Sequence, residues 1–328
     1  MYIRCLPHYP THRFIATPKM STASSPQAPP TVPPDRPEQW AEPGIGPPWR
    51  YKFMAWIIRV GGKTRAYHLA YIVTFWYVLF YPSIRRRCAF YLHSRFPSRT
   101  HWYQRFADTY RLVSAYAITL VDVMILKVLG PDVISARCPE HDQLIERCAR
   151  ERGFVLVHAH VGCFQIGVAT LAQFPKRVSI VMIPEPNSKA PAAVIDPHSG
   201  LESVVLMTNA LLRGEIVAMM GDRIFGSDHN VATIQFLGSP AQFPITPYRL
   251  ASATGVPVLV MTAPRISPTS YELRLARVIE VPPNLGRNPA DYAPYAQQFA
   301  DCIEQFTQEF PWQVFNFYDL WQQGRSPR

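Results

Sequence analysis

Between Gln143 and Phe310 short apolar runs alternate with stretches of helical periodicity, an order that commits the chain to a sheet with helices packed on its faces. Phe154–His158, Val178–Ile183, Ser203–Met207, Ile216–Met220, Val256–Thr262 and Tyr271–Val278 read as strands. Gln143–Arg152, Gly162–Gln173, Thr208–Arg213, Pro247–Thr254 and Ala293–Phe310 read as helices. The expected class is α/β, a mixed central sheet flanked by helices. With 328 residues, 48% of them hydrophobic and 17% charged, the chain can bury one core of about 250 residues plus appendages, which excludes wholesale disorder. No repeat of 20 to 50 residues is visible.

The N-terminal part has a different texture. Residues 1–48 hold 12 of the 33 prolines, in runs such as Pro29-Pro30 and Pro33-Pro34, and are expected to form a disordered leader. The stretch before Met20 has no pattern of its own, so Met1 and Met20 both stand as starts, and no signal peptide is evident. From Trp49 aromatic and aliphatic residues mix with arginine, and Leu69–Tyr81 is an uncharged run of 13 residues ended by Pro82. That is shorter than the roughly 20 residues a spanning helix needs, which leaves a buried helix or one lying in a membrane interface. Its flanks, Arg59, Lys63 and Arg65 before and Arg85, Arg86 and Arg87 after, suit a headgroup boundary. A further helix, Trp102–Leu129, should end at Gly130-Pro131. The expected division is therefore a leader (1–48), a helical docking segment (49–130), an α/β core (131–322) and a tail (323–328).

A formal net charge of +10 favours a polyanionic partner, nucleic acid or an anionic membrane surface. No nucleic-acid motif accompanies the charge, which points to the membrane. Six cysteines without C-x-x-C pairing read as reduced thiols facing the cytosol.

Chemistry concentrates where the run Phe154–His158 enters Ala159-His160-Val161-Gly162-Cys163-Phe164-Gln165, a strand passing through a glycine turn into a helix. Ligands bind at the carboxyl ends of strands in open α/β sheets, which is where His160 falls, with Gln165 in the following helical turn. Taken from these residues alone, several readings stay open. His158 and His160 can be ordinary strand-end histidines. They can share a metal with Asp222 and His229, although the acid and histidine of an H-x-H-x-D-H pattern are absent. Cys163 can be a nucleophile with His160 as its base.

Four blocks in order carry a resemblance that covers roughly residues 50–322: His160-Val-Gly162-Cys163-Phe-Gln165; Gly221-Asp222-Arg223; Phe236-Leu-Gly238 followed by Ala241-Gln-Phe243-Pro-Ile-Thr246-Pro-Tyr-Arg249-Leu-Ala251; and Pro311-Trp-Gln313-Val-Phe315-Asn316-Phe317-Tyr318-Asp-Leu-Trp321. They resemble the H-x-x-x-x-D/E, G-D-R, F-L-G…A-x-F-P and C-terminal aromatic blocks of the lipid A biosynthesis (lauroyl/myristoyl) acyltransferase family, within the lysophospholipid acyltransferase superfamily. The resemblance implies an acyltransferase-like fold with N-terminal membrane-docking helices. It implies a monotopic or peripheral O-acyltransferase on the cytoplasmic face of the inner membrane, acting on a lipid acceptor. No cofactor or metal is implied, the acyl donor being a co-substrate, acyl carrier protein or acyl-coenzyme A. His160 is the implied general base, an imidazole being suited to take a hydroxyl proton near neutral pH. Asp222 and Arg223 are implied to hold the acceptor or its phosphate, and Thr246, Arg249, Gly162 and Cys163 to line the same pocket. The C-terminal aromatics are expected to close the core.

Two positions depart from the family pattern. Gln165 stands where the ring-orienting acid belongs and Cys163 stands at the asparagine position. Glutamine accepts a hydrogen bond but supplies no negative charge to an imidazolium. Either another carboxylate serves, Asp222 before Asp228, or the chain is a weakly active or inactive lipid-binding relative.

Overall fold

The computed structural model describes residues 2–3, 48–150, 152–171, 175–184, 193–224 and 230–321. Most of the proline-rich leader, the tail, and Asp228 and His229 lie outside that set.

Tyr2–Ile3 (β1) pairs antiparallel with Ser135–Arg137 (β2). Three helices follow one another in the N-terminal segment: Pro48–Phe80 (α1), Pro82–Arg95 (α2) and Trp102–Leu129 (α3). Gly62, at φ 66° and ψ −178°, breaks α1 into two. Leu69–Phe80 of the apolar run lie in the second half of α1, Tyr81 caps α2, and Pro82 opens α2 because proline lacks the amide that a continuing helix would need. Its second half buries a narrow line, Ala66, Ala70, Thr74 and Val78, and leaves Ile72, Trp76 and Phe80 more than half exposed. Among the described residues α3 is the helix long and apolar enough to cross a membrane. It packs along α1 and carries two buried carboxylates, Asp108 and Asp122, in ion pairs, which is the setting of a core helix.

The remaining elements are His141–Arg150 (α4), Phe154–His158 (β3), Phe164–Leu171 (α5), Val178–Val181 (β4), Ala193–Ile195 (β5), Leu201–Leu212 (α6), Ile216–Met220 (β6), Val231–Phe236 (β7), Ser239–Pro244 (β8), Thr246–Thr254 (α7), Val258–Thr262 (β9), Arg265–Ser267 (β10), Ser270–Glu272 (β11), Arg274–Ile279 (β12) and Ala293–Glu309 (α8). A six-stranded sheet in the order β12-β9-β3-β6-β4-β5 forms the centre, parallel except for the antiparallel edge strand β12. The small sheet β1-β2-β11-β10 and the hairpin β7-β8 stand beside it.

Period-two alternation divides the central strands between two layers. Val155, Val157, Val217, Met219, Val258 and Val260 pack with α6, α7, α8 and the hairpin. Phe154, Leu156, Ile216, Ala218, Leu259 and Met261 pack with α3, α4 and α5. Parallel strands covered on both faces read as continuous apolar runs, which is why β3, β6 and β9 are legible in the sequence.

One expected strand is a helix. Ser203–Met207 lies inside α6, whose buried residues Ser203, Met207, Ala210 and Leu211 repeat at helical spacing. The paired valines suggest a strand locally, but the one-sided burial imposed by the sheet decides the conformation. Expected Tyr271–Val278 is split at Leu273 into β11 and β12, which join different sheets.

Candidate active site

Strands β3 and β6 run parallel in register, with His158 opposite Met220. Gly221 N–H donates to His158 O at 2.8 Å, so the two chains leave the sheet together. His160 and Asp222, each two residues farther on, therefore emerge side by side. The approach at Gly221 is close: a Cβ there would fall 2.4 Å from Val157 Cγ1 and 2.9 Å from Phe299 Cζ. Gly162 turns the other chain back at φ +60°, where a Cβ would meet the Ala263 carbonyl oxygen at 2.1 Å. The glycines of both blocks are thus steric requirements of the turns that present the two side chains.

His160 Nδ1 lies 2.9 Å from Asp222 Oδ1. The His160 backbone N–H donates to Asp222 Oδ2 at 2.8 Å. Asn316 Nδ2 donates to the Asp222 carbonyl at 3.0 Å and to Oδ2 at 3.3 Å. The Asp222 side chain is 4% exposed and that of His160 15%. Burial by itself would raise the Asp222 pKa, but the His160 ring charge and hydrogen bond, then Arg223 and the His160 amide, outweigh it and hold the carboxyl below its ordinary value. An ionised carboxylate only accepts, so Nδ1 carries the ring proton and Nε2 is the basic nitrogen. Phe164 packs edge-on against the ring, its centroid 5.8 Å away.

Arg223 is partly buried beside Asp222 and Tyr116 of α3. Burial lowers its pKa, and Asp222 and Tyr116 oppose that shift. Tyr116 in turn packs on Phe315 and Phe317, with centroids 5.3 and 5.4 Å away. This brings α3, the loop after β6 and the C-terminal strip around the histidine.

Other residues fall elsewhere or take other partners. The Gln165 carbonyl accepts the Cys163 thiol at 3.6 Å, so the Nδ1 partner is Asp222 and not the expected glutamine. Cys163 is fully enclosed and burial pushes its thiol up to about 12, against the nucleophile reading, since a thiolate is scarce at neutral pH. Arg249 donates to Asn230 Oδ1 at 2.5 Å and to Arg287 O at 2.6 Å and lies over Tyr292. Those bonds tie α7 to neighbouring loops. Thr246 is the first residue of α7 and is half-buried. His158 is buried on the α5 side of the sheet with Nε2 unpartnered. Among the described residues no three His, Cys, Asp or Glu side chains converge as metal ligands.

An apolar cavity lined by Tyr91, Val161, Phe236, Phe243 and Trp321 has Asp222 and Asn316 as polar wall. Asn316 was visible in the sequence as part of the aromatic block, but nothing local marked it as a partner of a residue 94 positions away.

The sequence profile of the family described as bacterial lipid A biosynthesis acyltransferase matches residues 49–323. The chain belongs to that family. The match spans the helices α1 to α3, the central sheet and the C-terminal strip, and membership supports a lipid acyltransferase activity. Among solved structures, the 1-acyl-sn-glycerophosphate (LPA) acyltransferase PlsC from Thermotoga maritima is similar at 13% identity and a TM-score of 0.35, over 73% of this chain and 97% of that one. No curated protein sequence matches significantly.

Proposed function

We propose that this lipid A biosynthesis family acyltransferase moves a fatty acyl chain from an acyl thioester to a hydroxyl of a lipid acceptor, with His160 as general base. The observation that carries the reading is the 2.9 Å pairing of His160 Nδ1 with the buried Asp222 carboxylate. Nε2 takes the acceptor's hydroxyl proton as its oxygen attacks the thioester carbonyl. The tetrahedral adduct then collapses with cleavage of the C–S bond, and the imidazolium returns the proton to the departing thiolate. Asp222 fixes the tautomer and stabilises the imidazolium, the task the family pattern gives to the position of Gln165. Arg223, next to this pair, offers a guanidinium to a phosphate of the acceptor.

The donor is acyl carrier protein or acyl-coenzyme A, and the chain works on the cytoplasmic face of a membrane. Supporting the second point, Trp49, Phe53, Trp56 and Val60, then Ile72, Trp76 and Phe80, are exposed at helical spacing along the two halves of α1. Exposed Arg59, Arg65, Arg86 and Arg87 flank them. An apolar face with basic borders suits an interfacial helix. The decisive experiment compares wild type, His160→Ala and Asp222→Asn by mass spectrometry of lipids from cells producing each. Both variants should lose the acylated product, Asp222→Asn by about 10⁴ in rate on the precedent of triads that lose their orienting acid. Wild-type product from His160→Ala would overturn the mechanism.

A further inference from the structure

The strip Gln313–Asn316 contacts the backbone of the turn that carries His160 and both the backbone and the side chain of Asp222. Gly162 N–H donates to Gln313 O at 2.8 Å and Phe315 N–H to His160 O at 2.6 Å, so the turn carrying the histidine is stitched to this strip as a short antiparallel bridge. The Gln313 side chain is itself held, accepting from Arg265 N–H at 2.8 Å and donating to Arg265 O at 2.9 Å. Three residues on, the Asn316 amide reaches the carboxylate. Both atoms that it meets, Asp222 O and Oδ2, are acceptors, so its NH2 must face them and its Oδ1 must face away. That Oδ1 is buried and has no hydrogen-bond partner, in a residue only 7% exposed. A position with only a packing task would be better filled by an apolar side chain.

We infer that Asn316 is a positioning residue for the His160–Asp222 pair, holding the carboxylate in the one rotamer that leaves Oδ1 for the ring. The inference rests on the proposal that His160 is the base. With Oδ2 held by two donors, the His160 backbone amide and the Asn316 side chain, the carboxylate cannot turn away from the ring. The titratable groups around the pair are Arg223 from the loop after β6, Tyr116 of α3 beside that guanidinium, and Tyr91 of α2 and Tyr318, which line the same cavity as Asp222 and Asn316.

The test uses the full chain in detergent, with wild type, Asn316→Asp and Asn316→Leu. One measurement is the pH profile of thiol release from dodecanoyl-coenzyme A in the presence of a total membrane lipid extract. The other is the NMR titration of the His160 ring, assigned by its absence in His160→Gln, which needs no substrate. Asn316→Asp keeps the shape and puts a second carboxyl beside Asp222, so the acid limb of the rate profile and the ring titration should both move up by about one pH unit. Asn316→Leu should lower kcat at least tenfold with little change in KM. A uniform loss of rate with neither midpoint moved, or no change in either variant, would overturn the inference. A moved ring titration with an unmoved rate profile would uphold the positioning and refute His160 as the base. The melting temperature of each variant, measured alongside, separates a folding defect from a change at the pair.

Discussion

His158 makes acid a specific threat to this fold. Its ring ends β3 in full enclosure, hydrogen-bonded to the Met261 backbone, and Nε2 has no partner. A Cβ on Gly167 would sit 3.3 Å from its Cε1, so the helix α5 leaves no room for a hydration shell. Burial, partly offset by the Met261 bond, lowers its pKa from 6.5 to about 4. In the unfolded chain the ring binds a proton below about pH 6.5, whereas the native state refuses one until about pH 4. Stability from this residue is therefore complete above pH 6.5 and lost as pH falls through that window. At 1.36 kcal/mol per unit the whole difference is about 3 kcal/mol, and about 2 kcal/mol of it falls between pH 7 and pH 5. The assay is urea unfolding of the full chain in detergent, followed by tryptophan fluorescence at several pH values, for wild type and His158→Leu. The leucine variant should have a shallower pH dependence by about 1 kcal/mol per unit near pH 5.5, whatever its absolute stability, and it should keep most of its transferase activity. Parallel pH dependences would refute the burial argument. Loss of transfer in a folded His158→Leu protein would put the residue in the chemistry.

Three further outcomes follow from the same geometry. Gln165→Glu should not raise the transfer rate, because Asp222 already occupies the Nδ1 side of His160 and a second carboxylate would compete with it; a tenfold rise would show that the motif position still governs the ring. Asp122, fully buried, accepts from the hydroxyls of Tyr67 and Tyr271 at 2.5 Å each and from Arg265 Nε at 2.7 Å. Asp122→Ala should cost about 3–5 kcal/mol in urea unfolding, with part regained when Arg265→Met removes the stranded cation; a cost below about 1 kcal/mol would show that the network is not structural. The paired change Trp76→Glu with Phe80→Glu, at two stacked and exposed rings of α1, should weaken sedimentation with phosphatidylglycerol vesicles by at least tenfold while leaving thermal stability intact, and unchanged binding would remove α1 from the docking surface.

The amino-acid order by itself determined the parts whose signal is local and repeated. Strands β3, β6 and β9 are legible because a parallel sheet covered on both faces demands unbroken apolar runs, and α3 because its apolar residues recur at helical spacing up to Gly130. The turn at His160 was legible as well, since a glycine between a strand and a helix marks a place where the chain must reverse. Ser203–Met207 is ambiguous in sequence because two adjacent valines look the same in a short strand and in a helix with one buried side, and only packing against the sheet separates the two. The departure at Gln165 posed a question that local sequence could raise but not answer, with Asp222 and Asp228 both available. Its answer depends on the register that sets His158 opposite Met220 and so carries Asp222 to the ring. The Asn316 contact, across 94 residues, and the bonds of Arg249 to Asn230 and Arg287 are of the same kind. Hydrogen-bond partners at such separations are chosen by how strands and loops meet in space, and no neighbouring residue records that choice.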